Sequence, residues 1–263
     1  MKNIPALDPK VLGLVTEISK EPKVEAAIAF IKDQTEVAML EQIELCEIEA
    51  PTFHEEKRAA SVAERMRQYG LTDVHIDEIG NVIGICKGSG NGPVLAIGAH
   101  MDSVFPAGTD VKVKKEGNIY RAPGIGDNCS GLRALLQVLR ALEKEDIRTV
   151  GDIWFVGTVG EEGNGDIRGS KHLCANNKLD GFVAIDSTDV GRVLYGAVGS
   201  HRWRLAVDGT GGHSFADFGK TPSAIHAVCR AGNIIADIKV PEDPKTTFTI
   251  QSTTWFHPTT IRV

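Results

Sequence analysis

Apolar residues recur at helical spacing over 24–48 (VEAAIAFIKDQTEVAMLEQIELCEI), and Ala-Pro-Thr at 50–52 then breaks the pattern. A second amphipathic helix is predicted over 54–69 (HEEKRAASVAERMRQY), ended by Gly70. Three short strand-like runs follow, VHIDEIG (74–80), NVIGIC (81–86) and PVLAIGAHM (93–101), with Gly and Asn between them. LRALLQVLRAL (132–142) is again amphipathic at helical spacing. DIWFVGTV (152–159) reads as a buried strand, residues 170–176 as a short helix and GFVAIDS (181–187) as another buried strand. Alternating strands and helices of this kind predict an α/β fold whose sheet is largely buried on both faces.

The texture changes near 197. HRWRLAVDG (201–209) alternates like a half-exposed strand, GTGGHS (209–214) is a Gly-rich turn, and a helix is expected over roughly 222–237. The chain therefore divides on paper into a first domain, 1–196, and the start of a smaller second one, 197–263. No internal repeat or low-complexity segment is visible.

Composition narrows the functions. A chain of 263 residues, 42% hydrophobic and 24% charged, is ordinary globular material with room for a sizeable core. A net charge of -6 without a basic stripe argues against a nucleic-acid partner. No stretch approaches the roughly 20 apolar residues of a membrane span. Asp8 and Lys10 interrupt any apolar core of a secretory signal, and the five scattered cysteines contain no CxxC pair. Both point to free thiols in a reducing, cytoplasmic setting.

The candidate chemistry sits at or beside the C-terminal ends of the apolar runs, where α/β sheets gather their ligands. His100 and Asp102, in GAHMDS, are spaced i, i+2, which puts both side chains on one face of a strand. One ring nitrogen of His100 could hold a metal while Asp102 accepts from the other. Asp127, in APGIGDNCSG, lies among glycines before a helix and could bridge two metals. Glu161 and Glu162 are adjacent carboxylates after a buried strand, a costly pairing unless something cationic is near. One could ligate a metal and the other act as a base. Asp186 ends the run FVAID. Each has a plain alternative: a surface His beside a turn Asp, an Asx helix cap, a solvated acidic loop, a loop cap. A single metal site explains all of them and their order. Carboxylate-rich ligation with one His resembles a hard-oxygen site, which cobalt or manganese could occupy. A cysteine hydrolase built on Cys129 with His100 or His213 finds no supporting motif.

GAHMDSV, GIGDNCSG, GTVGEEGNGDIRGS, FVAIDS and GTGGHS together resemble the metallopeptidase family of peptidase T, carboxypeptidase G, aminoacylase, acetylornithine deacetylase and succinyl-diaminopimelate desuccinylase. The resemblance covers about residues 40 to 240. It implies a mixed, mostly parallel sheet flanked by helices, of zinc-exopeptidase type, with an inserted smaller α+β lid and dimerisation domain. It implies two zinc ions: His100 and Asp186 on one, Glu162 on the other and Asp127 bridging, with a cis peptide bond between Asp127 and Asn128. Asp102 would be the partner of His100, and Glu161 the general base that takes a proton from the attacking water and hands it to the leaving nitrogen. His213 would reach across a homodimer to the oxyanion or the substrate carboxylate. Short peptides are the expected substrates, with N-acyl amino acids as the alternative.

The chain departs from the family pattern in its last segment. Relatives continue past the second domain and return to the first with a fifth metal ligand, a His. Here QSTTWFHPTTIRV follows TTFTI, and the only His in that tail, His257, belongs to the wrong domain to replace it. A truncated or frame-shifted tail is the expectation, with a weakened second metal, exposed sheet edges and poor turnover of the isolated chain.

Overall fold

The structure, a computed structural model, describes residues 8–186, 191–197, 199–201 and 203–250, together with the strand backbones at 254–256 and 260–262. His257 lies outside the described residues. The chain forms two compact units, 1–190 and 191–263.

The first unit opens with helices α1 (Pro9–Ile18), α2 (Pro22–Asp33), α3 (Thr35–Cys46) and α4 (Glu56–Gln68). Strands β1 (Asp73–Ile76), β2 (Val82–Cys86) and β3 (Leu95–His100) follow, then a hairpin of β4 (Lys114–Glu116) and β5 (Ile119–Arg121). Helix α5 (Cys129–Lys144), strand β6 (Ile153–Thr158), helix α6 (Arg168–Asn176) and strand β7 (Gly181–Ala184) complete it. The sheet order is β1-β2-β6-β3-β7. The pairs β1/β2 and β2/β6 are antiparallel, while β6/β3 and β3/β7 are parallel. Only β2 therefore runs against the others, giving the mixed, mostly parallel sheet expected from the sequence.

Alternation along the central strands builds two core layers. Val82, Cys86, Ala99, Ile153 and Phe155 face helices α3, α4 and α5, where Leu45, Val62, Met66, Leu132, Leu135, Leu136 and Leu139 are buried. Ile83, Ala96 and Val156 face the other way and meet Leu173 of α6. Arg58 of α4 is 1% exposed, and its guanidinium donates to the carbonyls of Met101, Ile48 and Cys46. It thus ties the segment leaving β3 to the end of α3.

Several elements differ from the sequence reading. The apolar pattern of 24–48 is two helices, broken at Gln34. α1 forms where Asp8 caps Lys10 and Pro9 takes the first turn, a signal that the pattern of apolar positions does not carry. β7 is an edge strand with Val183 half-exposed, so its apolar run is not a fully buried strand. In the second unit, β8 (Ala206–Asp208), α7 (Ala224–Ala236), β9 (Thr254–Phe256) and β10 (Thr260–Arg262) form one helix and an antiparallel sheet of order β8-β10-β9. No helix among the described residues is long and apolar enough to cross a membrane.

Leu135, fully buried in α5 beneath β3 and β6, tests the main core layer. Leu135→Ala is expected to cost about 2–5 kcal/mol of stability in denaturant titration.

Candidate metal centre

The parallel register decides what meets what. His100, the last residue of β3, stands opposite Thr158, the last of β6, and Gly98 opposite Ala184, the last of β7. Three neighbouring strands end side by side and pointing the same way. The segments that follow them carry Asp102, Glu161 with Glu162, and Asp186. The turn before α5 brings Asp127.

His100 is almost fully buried. Its Nδ1 lies 3.0 Å from the main-chain carbonyl of Asp102 and 3.5 Å from that residue's carboxylate. The sequence reading had the carboxylate as the acceptor, yet the carbonyl is closer. A carbonyl can only accept, so in the neutral ring the proton sits on Nδ1 and the Nε2 lone pair faces outward. Nε2 is 2.9 Å from Asp127 and 3.9 Å from Asp186. Two groups of possible ligands result, His100 with Glu161 and Asp186, and His100 with Asp127 and Glu162. Within each group the ligand atoms lie within 4.8 Å of one another. A tetrahedral zinc with bonds of about 2.0–2.2 Å spaces its ligands roughly 3.3 Å apart, so only small movements are required.

Asp102 has no exposed surface. Its carboxylate accepts from the backbone N–H of Glu161 at 2.9 Å, from that of Glu162 at 3.0 Å and from the Thr52 hydroxyl at 2.9 Å. Burial opposes its charge, but the His100 contact and the two amide donors prevail and hold the carboxyl below its ordinary range. His100 shows the converse. Burial would lower its pKa, yet Asp102, Asp186 and Glu161 raise it to about 9. Glu161 and Glu162 are both pushed up, first by burial. Repulsion from Asp186, Asp102 and Asp127 adds to this at Glu161, and from Asp127 and Glu161 at Glu162. Such a crowd of like charges around one imidazole is what a divalent cation would relieve.

Asn128 and Gly131 join Asp127 to Asp186. The Asp127–Asn128 peptide is cis, as the resemblance implies. Asn128 caps α5 by accepting from Gly131 N–H, and its amide donates to the Ile185 carbonyl at 2.8 Å, next to Asp186. A Cβ on Gly131 would meet Asn128 Oδ1 at 2.2 Å and the Ile185 carbonyl at 2.5 Å. His213 belongs to the second unit, where its backbone N–H donates to Asp217 and its Nδ1 accepts from Phe215 and Ala216. Sequence reasoning passed over Thr52, Glu55, Asn81 and Arg168, which hold the glutamate loop. Thr52 stands in the noted helix break, but no periodicity marks any of them.

An α/β sheet with one His and several carboxylates gathered at the ends of its parallel strands offers donors that could hold a metal ion. The chain belongs to peptidase family M20/M25/M40, whose model matches residues 96–251. Among curated proteins it is 35% identical over 120 residues to a Pyrococcus abyssi protein provisionally named a LysW-lysine/LysW-ornithine hydrolase, covering 46% of this chain and 32% of that protein. It is 29% identical over 211 residues to Bacillus subtilis YqjE, covering 74% of this chain and 56% of the relative. Among solved structures, a Staphylococcus aureus tripeptidase matches with TM-score 0.59 and 26% identity over 87% of this chain and 65% of its own. The aminopeptidase PepT of Bacillus cereus shares the fold, with TM-score 0.54, 21% identity and coverage of 86% and 64%. The chain thus spans less than two thirds of each of these four proteins.

Gly131→Ala is expected to destabilise the protein by about 1–3 kcal/mol through overpacking at the cap of α5. Thermal unfolding measures it, and Gly13→Ala, where a Cβ meets nothing within 4 Å, is the control expected not to destabilise.

Proposed function

We propose that the first unit carries the catalytic centre of a metal-dependent exopeptidase acting on short peptides. The observation that carries this is that His100 joins two sets of possible ligands beyond the strand ends, one with Glu161 and Asp186 and one with Asp127 and Glu162, each within 4.8 Å. The 26% identity to a tripeptidase supports a di- or tripeptide substrate. The donor set fits two zinc ions, with cobalt or manganese as substitutes. His100 and Asp186 would hold one ion and Glu162 the other, with Asp127 shared between them. Such ions, when bound, polarise a scissile carbonyl and acidify a water.

The chain's own residues would do the rest. The Asp102 carbonyl and carboxylate fix the His100 ring, and the carboxylate holds the backbone of both glutamates. Glu161, not needed as a ligand in this scheme, would accept a proton from the attacking water and deliver it to the departing amide nitrogen. His213 would supply a donor for the developing oxyanion or the substrate carboxylate, from a partner subunit paired through the second unit. Free cysteines support a reducing, cytoplasmic compartment.

The identity to the LysW-lysine/LysW-ornithine hydrolase favours a second reading, a deacylase that frees an amino acid from an N-linked acyl group. Comparing a panel of di- and tripeptides with N-acetyl amino acids on zinc-loaded protein separates the two. Preference for peptides is expected, and preference for the N-acyl substrates would transfer the assignment to deacylase.

Glu161→Gln is expected to lower kcat by about 10²–10⁴-fold while metal content by elemental analysis stays unchanged. Unaltered kcat would remove Glu161 from the base role. Glu162→Ala is expected to lose about one metal ion per chain. Chelation should abolish turnover, with zinc restoring it.

A further inference from the structure

The two glutamates stand on the loop that leaves β6, and the first four amides of that loop are all held by side chains. Val159 N–H donates to Asn81 Oδ1 at 3.1 Å, Gly160 N–H to Glu55 Oε1 at 2.9 Å, and Glu161 and Glu162 to the two oxygens of Asp102. Asp102 adjoins His100. Glu55 and Asn81 touch none of the ligand candidates and answer to something else.

Glu55 is 3% exposed at the start of α4. Besides Gly160, it takes Arg168 Nη2 at 3.3 Å on Oε1 and 3.2 Å on Oε2. Arg168 begins α6, on the far side of the loop. Its backbone N–H returns to the Gly160 carbonyl at 3.1 Å, its Nη1 reaches the Ile79 carbonyl at 2.9 Å, and its guanidinium lies 5.3 Å from the centre of the Phe53 ring. The side chain also lies against Gly160. A Cβ there would meet Arg168 Nε at 2.5 Å, and Gly160 has φ +60. Both ends of the segment 160–168 therefore rest on one carboxylate. Between them, Asp166 and Ile167 have φ of 52° and 51°, a conformation unfavourable for a β-branched residue unless its surroundings impose it.

We propose that Glu55 and Arg168 are a positioning pair that fixes the loop presenting Glu161 and Glu162. The physical case rests on what a buried ion pair supplies. It adds little stability over well-packed apolar side chains, but it fixes direction. Here the direction is that of Gly160 N–H, one residue before the proposed base. Placement within about an ångström decides whether such a group acts, and errors of that size cost on the order of 100-fold in rate. The kinetic consequence rests on the hydrolase reading above. The mechanical one does not.

Two measurements on the full chain separate them. Hydrogen exchange of the metal-free protein, read by mass spectrometry on peptides spanning 159–169, is compared for wild type, Glu55→Ala, Glu55→Gln, Arg168→Lys and Arg168→Met. Lys23→Ala, which removes an exposed pair with Asp146 away from this loop, is the control. Exchange in that segment is expected to rise about tenfold or more in Glu55→Ala and Arg168→Met, and less in Glu55→Gln, which keeps an acceptor for Gly160. β3 and the rest of β6 should remain protected. The zinc-loaded variants should lose between about 10- and 100-fold in kcat, with KM within about threefold of wild type. Unchanged exchange at 159–169, or loss of protection spread evenly over the sheet, would overturn the positioning role. A kcat loss that merely follows lost metal or a lowered melting temperature would do the same. If Glu55→Ala fails to fold, Glu55→Gln and Arg168→Lys decide. If wild type itself shows no turnover, exchange alone judges the pair.

Discussion

The carboxylate of Asp102 is fully buried, and segments distant in sequence are held to it. Thr52, just before α4, donates a hydroxyl, and Glu161 and Glu162, just after β6, donate their backbone N–H groups. His100 leans on the same residue from β3. A carboxylate without water must find this many donors or lose its charge. Meeting that demand draws the histidine and both glutamates to one place. Arg58 and Glu55 are buried on either side, Arg58 donating to main-chain carbonyls and Glu55 accepting from Gly160 N–H and the Arg168 guanidinium.

Against this scaffold stands an unrelieved excess of negative charge. Asp127, Glu161, Glu162 and Asp186 crowd one imidazole, and both glutamates are pushed toward protonation while the imidazole is pushed toward holding its proton. The fold holds these groups close because the strands are parallel. β3 and β6 finish in register and β7 ends opposite Gly98, two residues short of the end of β3, so their outgoing segments lie close together. Protons reduce the repulsion in part. Divalent ions would neutralise it further.

Much of this was legible in the sequence, and the physical reason is periodicity. α5 shows its apolar stripe directly, and β2, β3 and β6 show as short apolar runs between turn residues. The candidate ligands drew notice as one His and several acidic residues at the ends of apolar runs, and their roles were assigned through the family resemblance. The exposure of β7 was not legible, because an edge strand and a central one can carry the same apolar run. α1 was missed because its start is set by one cap and one proline. Glu55, Asn81 and Arg168 looked like ordinary polar residues at a helix start or a turn. Their roles exist only once segments up to 113 positions apart in sequence have met. His213 stands by its motif alone, in a unit described separately from the first.

The most direct test is anomalous diffraction from crystals of the protein grown with zinc. The account predicts two peaks that share Asp127, one beside His100 and Asp186 and the other beside Glu162. A single peak away from Asp127, or none at this cluster, would contradict it.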